Sequence, residues 1–162
     1  MATTTYNHYF KIFEKLRDIF QKDERTSFLS FYGGEYSKKK NLPCVLIFPQ
    51  TKTYIVEKNE RDYRKYGGPR QVHYTFSLWA YSNLMNVEDA YYSNSNDIKA
   101  GITQVMTEIE AVLKENHTGT DLSDNTINLW TDMKYETIEY AQKPGKLMIA
   151  KLDVTFVSKE LK

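Results

Sequence analysis

Val72-His73-Tyr74-Thr75-Phe76-Ser77-Leu78-Trp79-Ala80-Tyr81 is the stretch whose reading decides the fold, together with the helical run that follows it. Apolar and polar residues alternate along it. Val72, Tyr74, Phe76, Leu78 and Ala80 take one face, and His73, Thr75, Ser77, Trp79 and Tyr81 take the other. Period two is the signature of a strand with one buried side. After a polar connection the period changes. Ile98, Ile102, Val105, Met106, Ile109, Val112 and Leu113 fall on one face of a helix, capped by Ser95 or Asn96 and ending near Asn116. A strand that hands over to an amphipathic helix is a packing unit, so residues 72–113 predict a helix lying on a sheet. Trp79 and Tyr81 are large for an outer face. They are expected to lie under another helix or against a neighbouring subunit.

Working outward, Tyr6, Tyr9, Phe10, Phe13, Leu16, Ile19 and Phe20 have helical spacing, which predicts a helix over residues 5–22 capped by one of Thr3, Thr4 or Thr5. Residues 27–32 read as a short strand stopped by Gly33-Gly34. Cys44-Val45-Leu46-Ile47-Phe48 is an apolar run bounded by Pro43 and Pro49, a buried strand with proline at both margins. Residues 49–71 are dense in charge and close on Gly67-Gly68-Pro69. They are expected to form a projecting basic loop or hairpin. A helical turn is expected near residues 87–92. Residues 126–140 and 147–158 read as two long facing strands joined by Lys143-Pro144-Gly145-Lys146. The sum is one α+β domain over residues 1–162, with an N-terminal and a long central helix on a mainly antiparallel sheet and a closing β-hairpin.

A chain of 162 residues can bury a core without metal or disulfide. Its one cysteine, Cys44, has no internal partner and sits in an apolar run, which suits a reducing compartment and an inert core thiol. No apolar run approaches the ~20 residues that span a bilayer, and the first residues lack the features of a signal peptide, so a soluble intracellular protein without membrane contact is expected. The net charge of +1 argues against a dedicated nucleic-acid binder, but the charge is unevenly placed. Residues 36–70 hold nine basic and three acidic side chains, and residues 71–162 hold eight basic and thirteen acidic. Such a layout suits oriented attraction between copies, and equally an ordinary solvated loop. The 13 tyrosines fit either protein interfaces or strand propensity.

Chemistry is sparse. His8, His73 and His117 lie far apart without metal-ligand spacing, and His73 alone is expected to be well ordered. Glu108 and Glu110 are two apart on a helix and point in different directions. The turn glycines lack phosphate-loop spacing, and Asn116-His117-Thr118 is a glycosylation sequon only in a secreted chain. Neither catalysis nor a cofactor or metal is expected. The candidate interface residues are Lys38, Lys39, Lys40, Arg61, Tyr63, Arg64, Lys65, Tyr66 and Arg70, with Trp79 and Tyr81. The basic residues with interleaved tyrosines suit phosphates and stacked bases, an acidic protein surface, or solvent.

The order of these elements resembles that of the tail terminator, or tail completion, proteins of long-tailed bacteriophages. The matching pieces are Leu42-Pro43-Cys44-Val45-Leu46-Ile47-Phe48, then residues 73–82, 98–113 and 147–157. Residues 49–71 are long for the simplest members of that family. The resemblance implies a structural virion protein at the tail–neck junction, assembled in the host cytoplasm and not an enzyme. Such a protein forms a hexameric ring that caps the tail tube, ends its polymerisation and joins it to the neck or head-completion protein. The basic loops would then dock tube or neck, or line a channel through which DNA passes. Another neck or tail-tube ring protein, or a stand-alone α+β binding module, are the alternatives.

Overall fold

The computed structural model describes residues 4–34, 41–55, 70–83, 86–143 and 147–160. The fold is α+β. Helix α1 (His8–Lys22) comes first, then strands β1 (Ser30–Gly33), β2 (Cys44–Tyr54) and β3 (Arg70–Asn83). Helices α2 (Val87–Tyr92) and α3 (Ile102–Glu115) follow. The chain then forms β4 (Gly119–Thr120), β5 (Asn128–Trp130), β6 (Asp132–Lys134), β7 (Ile138–Lys143) and β8 (Leu147–Glu160).

The main sheet runs β1-β2-β3-β8, with β6 and β7 sharing the far edge of β8. Every pairing in it is antiparallel except β1 with β2. The two 14-residue strands β3 and β8 pair along their whole length, from Arg70 opposite Glu160 to Asn83 opposite Leu147. The alternation along residues 72–81 therefore sets the two faces of the whole sheet.

Val72, Tyr74, Phe76, Leu78 and Ala80 face the main core, where they meet Met148, Ala150, Leu152, Val154 and Phe156 of β8. The buried faces of α1 (Ile12, Leu16, Phe20) and α3 (Ile102, Val105, Met106, Ile109, Val112, Leu113) close over them. Spacings of three and four residues make each set one stripe of its helix. Both helices thus lie on one side of the sheet. A second, smaller cluster on the other side joins Cys44, Leu46 and Tyr81, with no helical residue among its members.

Several boundaries differ from those the sequence predicts. α1 is capped by Asn7, whose side chain accepts from the Phe10 N–H at 3.0 Å, not by a threonine. α3 starts at Ile102, four residues after Ile98, with Gly101 as its N-cap. Gly101 is pressed against α2: a Cβ there would lie 2.8 Å from Asp89 O and 2.7 Å from Ser93 N. Only glycine fits that approach, so the α2 contact decides where α3 begins. Ile98 is left outside the helix, 70% exposed.

β2 does not stop at Pro49. It runs on to Tyr54 through a register shift between Pro49 and Thr51. Tyr9 of α1 satisfies the irregular backbone there: its hydroxyl accepts from Gln50 N at 3.0 Å and lies 2.9 Å from Thr51 O. The segment expected as a projecting loop or hairpin over 49–71 is strand at both described ends, paired antiparallel with Tyr54 opposite Val72. Residues 56–69 lie outside the described part. The long strand expected over 126–140 is three short ones, β5, β6 and β7.

Two interactions tie the ends of the helices. Arg25, just after α1, bonds Asp23 at 2.8 Å and Glu115 at the end of α3 at 2.6 Å. Trp130 is 1% exposed, donates from Nε1 to Asn116 O at 3.0 Å and rests on Phe156 and against Gly119.

Candidate interaction surfaces

The residues proposed from sequence as an interface divide three ways. Lys38, Lys39, Lys40, Arg61, Tyr63, Arg64, Lys65 and Tyr66 lie outside the described residues. Arg70 opens β3, in register with Glu160. Trp79 and Tyr81 do lie on the face opposite α1 and α3, as their alternation requires. Tyr81 is nevertheless only 7% exposed, buried with Cys44 and Leu46. It is a core residue of the minor cluster and presents little to a neighbour, which corrects the outward reading. The reason is the register, which sets Tyr81 directly opposite Cys44 and Ile149, so that apolar side chains flank it on both sides. No described helix covers Trp79, which is half-buried beside this cluster, with Lys151 Nζ 5.4 Å from its ring centre.

The polar end of the same face holds a hollow of about 430 Å³, lined by His73, Thr155, Asp153, Lys151 and the β6–β7 corner from Lys134 to Glu139. It opens because β6 pairs with Thr155, Phe156 and Val157 and β7 begins pairing only at Leu152, so Asp153 and Val154 have no sheet partner on that side. The buried His73 Nε2 has no hydrogen-bond partner among the described residues. Burial, and then Lys134, hold the His73 pKa below its ordinary value. The lining mixes two lysines with three carboxylates and selects no sign of charge.

His73 is not the best-ordered histidine. His8 is buried at the start of α1, stacked on Tyr74 at 5.0 Å, with Nε2 2.7 Å from Leu129 O and 3.1 Å from Ser158 Oγ. Helical spacing places His8 beside the core stripe. Its hydrogen-bond partners come from β5 and β8, more than 100 residues away, and nothing local announces them. Cys44, the one cysteine of the sequence, is buried. Among the described residues no group of three or more His, Cys, Asp or Glu side chains is placed to hold a metal ion. No described helix is long and apolar enough to cross a membrane.

Two further apolar sites stand out among the described residues. The first is a groove of about 430 Å³ between α1 and β2, lined by Asn7, Tyr9, Phe10, Phe13, Gly33, Ile47, Pro49 and Phe76. It exists because β1 ends at Gly33, opposite Ile47, while β2 continues. Phe10 stands on its rim, 49% exposed, and Arg17 lies over the Phe13 ring at 5.1 Å. The sequence placed Phe10 on the buried stripe. It falls instead on the flank, a half-turn from Ile12.

The second surface is the α2–α3 connection, where Tyr92 and Ile98 are 71% and 70% exposed. Ile98 borders a smaller hollow with Leu42, Asn83 and Ala90. Phe76 of the groove and Asn83 beside Ile98 are seven residues apart on β3, which separates the two surfaces by about 23 Å along the sheet. No family model matches the chain, and no curated protein sequence matches it significantly.

Proposed function

We propose that the chain is a structural virion protein of a long-tailed bacteriophage, a tail terminator. Six copies form a ring that caps the tail tube, ends its growth and joins it to the neck or head-completion protein. The observation that carries this reading is the presence of unlike exposed apolar sites, the groove at Phe10 and the exposed side chains of Tyr92 and Ile98. A closed ring above two copies needs two different surfaces on each subunit, one meeting the other on the next copy. Apolar surface of this kind marks contact sites on proteins. The order helix, strands, long helix and closing hairpin also fits the family whose order the sequence resembles.

The reading is tested by adding the purified protein to tail tubes assembled from their own tube subunit. A terminator binds one end of the tube and stops elongation. Tubes that keep growing, or protein bound along their length, would contradict it.

A further inference from the structure

We infer that β6 is a proton-released edge strand: when His73 takes up a proton, residues 132–137 come away from β8 while the rest of the sheet stays paired. This device does not depend on the tail reading above.

His73 sits where a positive charge is poorly served. It lies on the face of β3 opposite α1 and α3, with Thr53 of β2 and Val157 of β8 directly beside it. Its Nε2 is buried and has no hydrogen-bond partner among the described residues. A neutral imidazole carries one N–H and a protonated one carries two. Protonation therefore leaves an N–H on Nε2 whichever nitrogen held the first proton. A buried N–H without an acceptor is costly, and more so when charged.

The charges around the ring add to that cost. β6 contributes Asp132 and Lys134, the corner after it Glu136, β7 Glu139, and β8 Lys151 and Asp153. Asp153 is already engaged, by the Ser77 hydroxyl at 2.6 Å and by Lys151 at 3.8 Å. Lys134 has no ion pair among the described residues. Burial first, and then the charge of Lys134, hold the His73 pKa below its ordinary value. A second positive charge beside Lys134 is repelled.

β6 is the element that can yield. β3 is paired with β2 on one side and β8 on the other. β6 holds β8 through three residue pairs, from Asp132 opposite Val157 to Lys134 opposite Thr155, and no described strand pairs its outer side. Residues 135–137 then stand opposite Asp153 and Val154 alone, so the ladder is already broken there. A short edge unit opens at lower cost than an interior strand.

The opening is bounded at both ends. Thr131 N donates to Val157 O at 2.8 Å beside the buried Trp130, and β7 pairs β8 from Ile138 onward. Met133 and Tyr135 pack against the main core and keep the segment closed while His73 is neutral. Release would lengthen the free edge of β8 from residues 153–154 to residues 153–157.

The closed form takes up the proton less readily than the open one. Closure is therefore favoured at neutral pH and loses ground as pH falls through the ordinary histidine value of about 6.5. Between about pH 7.5 and about pH 5.5 the closed-to-open ratio falls by at most about tenfold.

The test is amide hydrogen exchange on the full-length chain at those two pH values, corrected for the intrinsic pH dependence of exchange, beside an NMR titration of the His73 ring. The β6 amides should lose protection about three- to tenfold on acidification, and those of β3 and β7 should keep theirs. His73→Gln, which takes up no proton, should remove the loss. Lys134→Gln should move the His73 midpoint up and reduce the loss. No loss in the parent, an equal loss in His73→Gln, a loss shared by β3 and β7, or a His73 midpoint at or above its ordinary value would overturn the device. Should His73→Gln fail to fold, Lys134→Gln decides: an unmoved midpoint with an unchanged loss refutes it.

Discussion

Tyr81 and Trp79 lie two residues apart on the same face of β3, and their truncation should have unequal consequences. Tyr81 is 7% exposed and belongs to a closed cluster, while Trp79 is half-buried at its margin. An aromatic side chain buries roughly 150–250 Å², worth about 4–6 kcal/mol at ~25 cal/mol per Å². Measured truncations of buried aromatics cost about 3–5 kcal/mol, so Tyr81→Ala should lose about that much. Trp79→Ala gives up at least about two thirds of such burial plus a weak contact with Lys151, about 2–4 kcal/mol in all. For a domain of this size each kcal/mol moves the midpoint by about 2–4 °C. Tyr81→Ala should therefore melt about 6–20 °C lower, and Trp79→Ala about 4–16 °C lower. Thermal and urea unfolding, followed by far-ultraviolet circular dichroism, read the difference directly. A Trp79→Ala loss equal to or larger than that of Tyr81→Ala would refute the burial assignment of this face.

Three further outcomes are expected. Gly119→Ala should cost about 1–3 kcal/mol, because its Cβ would lie 2.5–2.6 Å from three atoms of the Trp130 ring, which is pinned by Asn116 and Phe156; unchanged stability and unchanged tryptophan fluorescence would count against that packing. Burial works against ionisation of Asp121, yet hydrogen bonds from Tyr6 and Ser123 outweigh it and hold the carboxyl down to about 2. A depressed carboxylate stabilises the fold above its ordinary pKa by about 2 kcal/mol and loses that contribution as pH falls from ~4 through ~2. Tyr6→Phe should accordingly move acid unfolding to higher pH, and an acid midpoint identical to the parent would argue against the Tyr6–Asp121 bond. Charge reversal at Lys38, Lys39 and Lys40, or at Arg61, Arg64, Lys65 and Arg70, should leave the melting temperature in place and weaken assembly; rings and tail joining at parental levels would remove those residues from the interface.

Periodicity carried the sheet and the helices. The faces of β3 and the core stripe of α3 follow from alternation and from spacings of three and four, because both are local consequences of backbone geometry. The errors arise where a distant contact outvotes a local signal. Pro49 reads as a strand end, but Tyr9, some forty residues earlier, supplies the bonds that let β2 continue. Ser95 and Asn96 are better helix caps than Gly101, but α2 leaves room there for nothing larger than hydrogen. Tyr81 alternates outward correctly. Its burial depends on Cys44 and Leu46 facing the same way on the neighbouring strand, which requires the register. The groove was not legible, because it depends on β1 stopping four residues into its pairing with β2. The exposure of Ile98 was not legible either: periodicity put it on the helix face with Ile102, and only the close approach of α2 at Gly101 leaves it outside.

The central claim is a ring at the end of a tail tube, and electron microscopy of the protein added to assembled tubes tests it most directly. The account predicts a closed six-fold ring at one end of each tube, and tubes of fixed length in its presence. A protein that stays monomeric at high concentration and leaves the tube ends bare would contradict it.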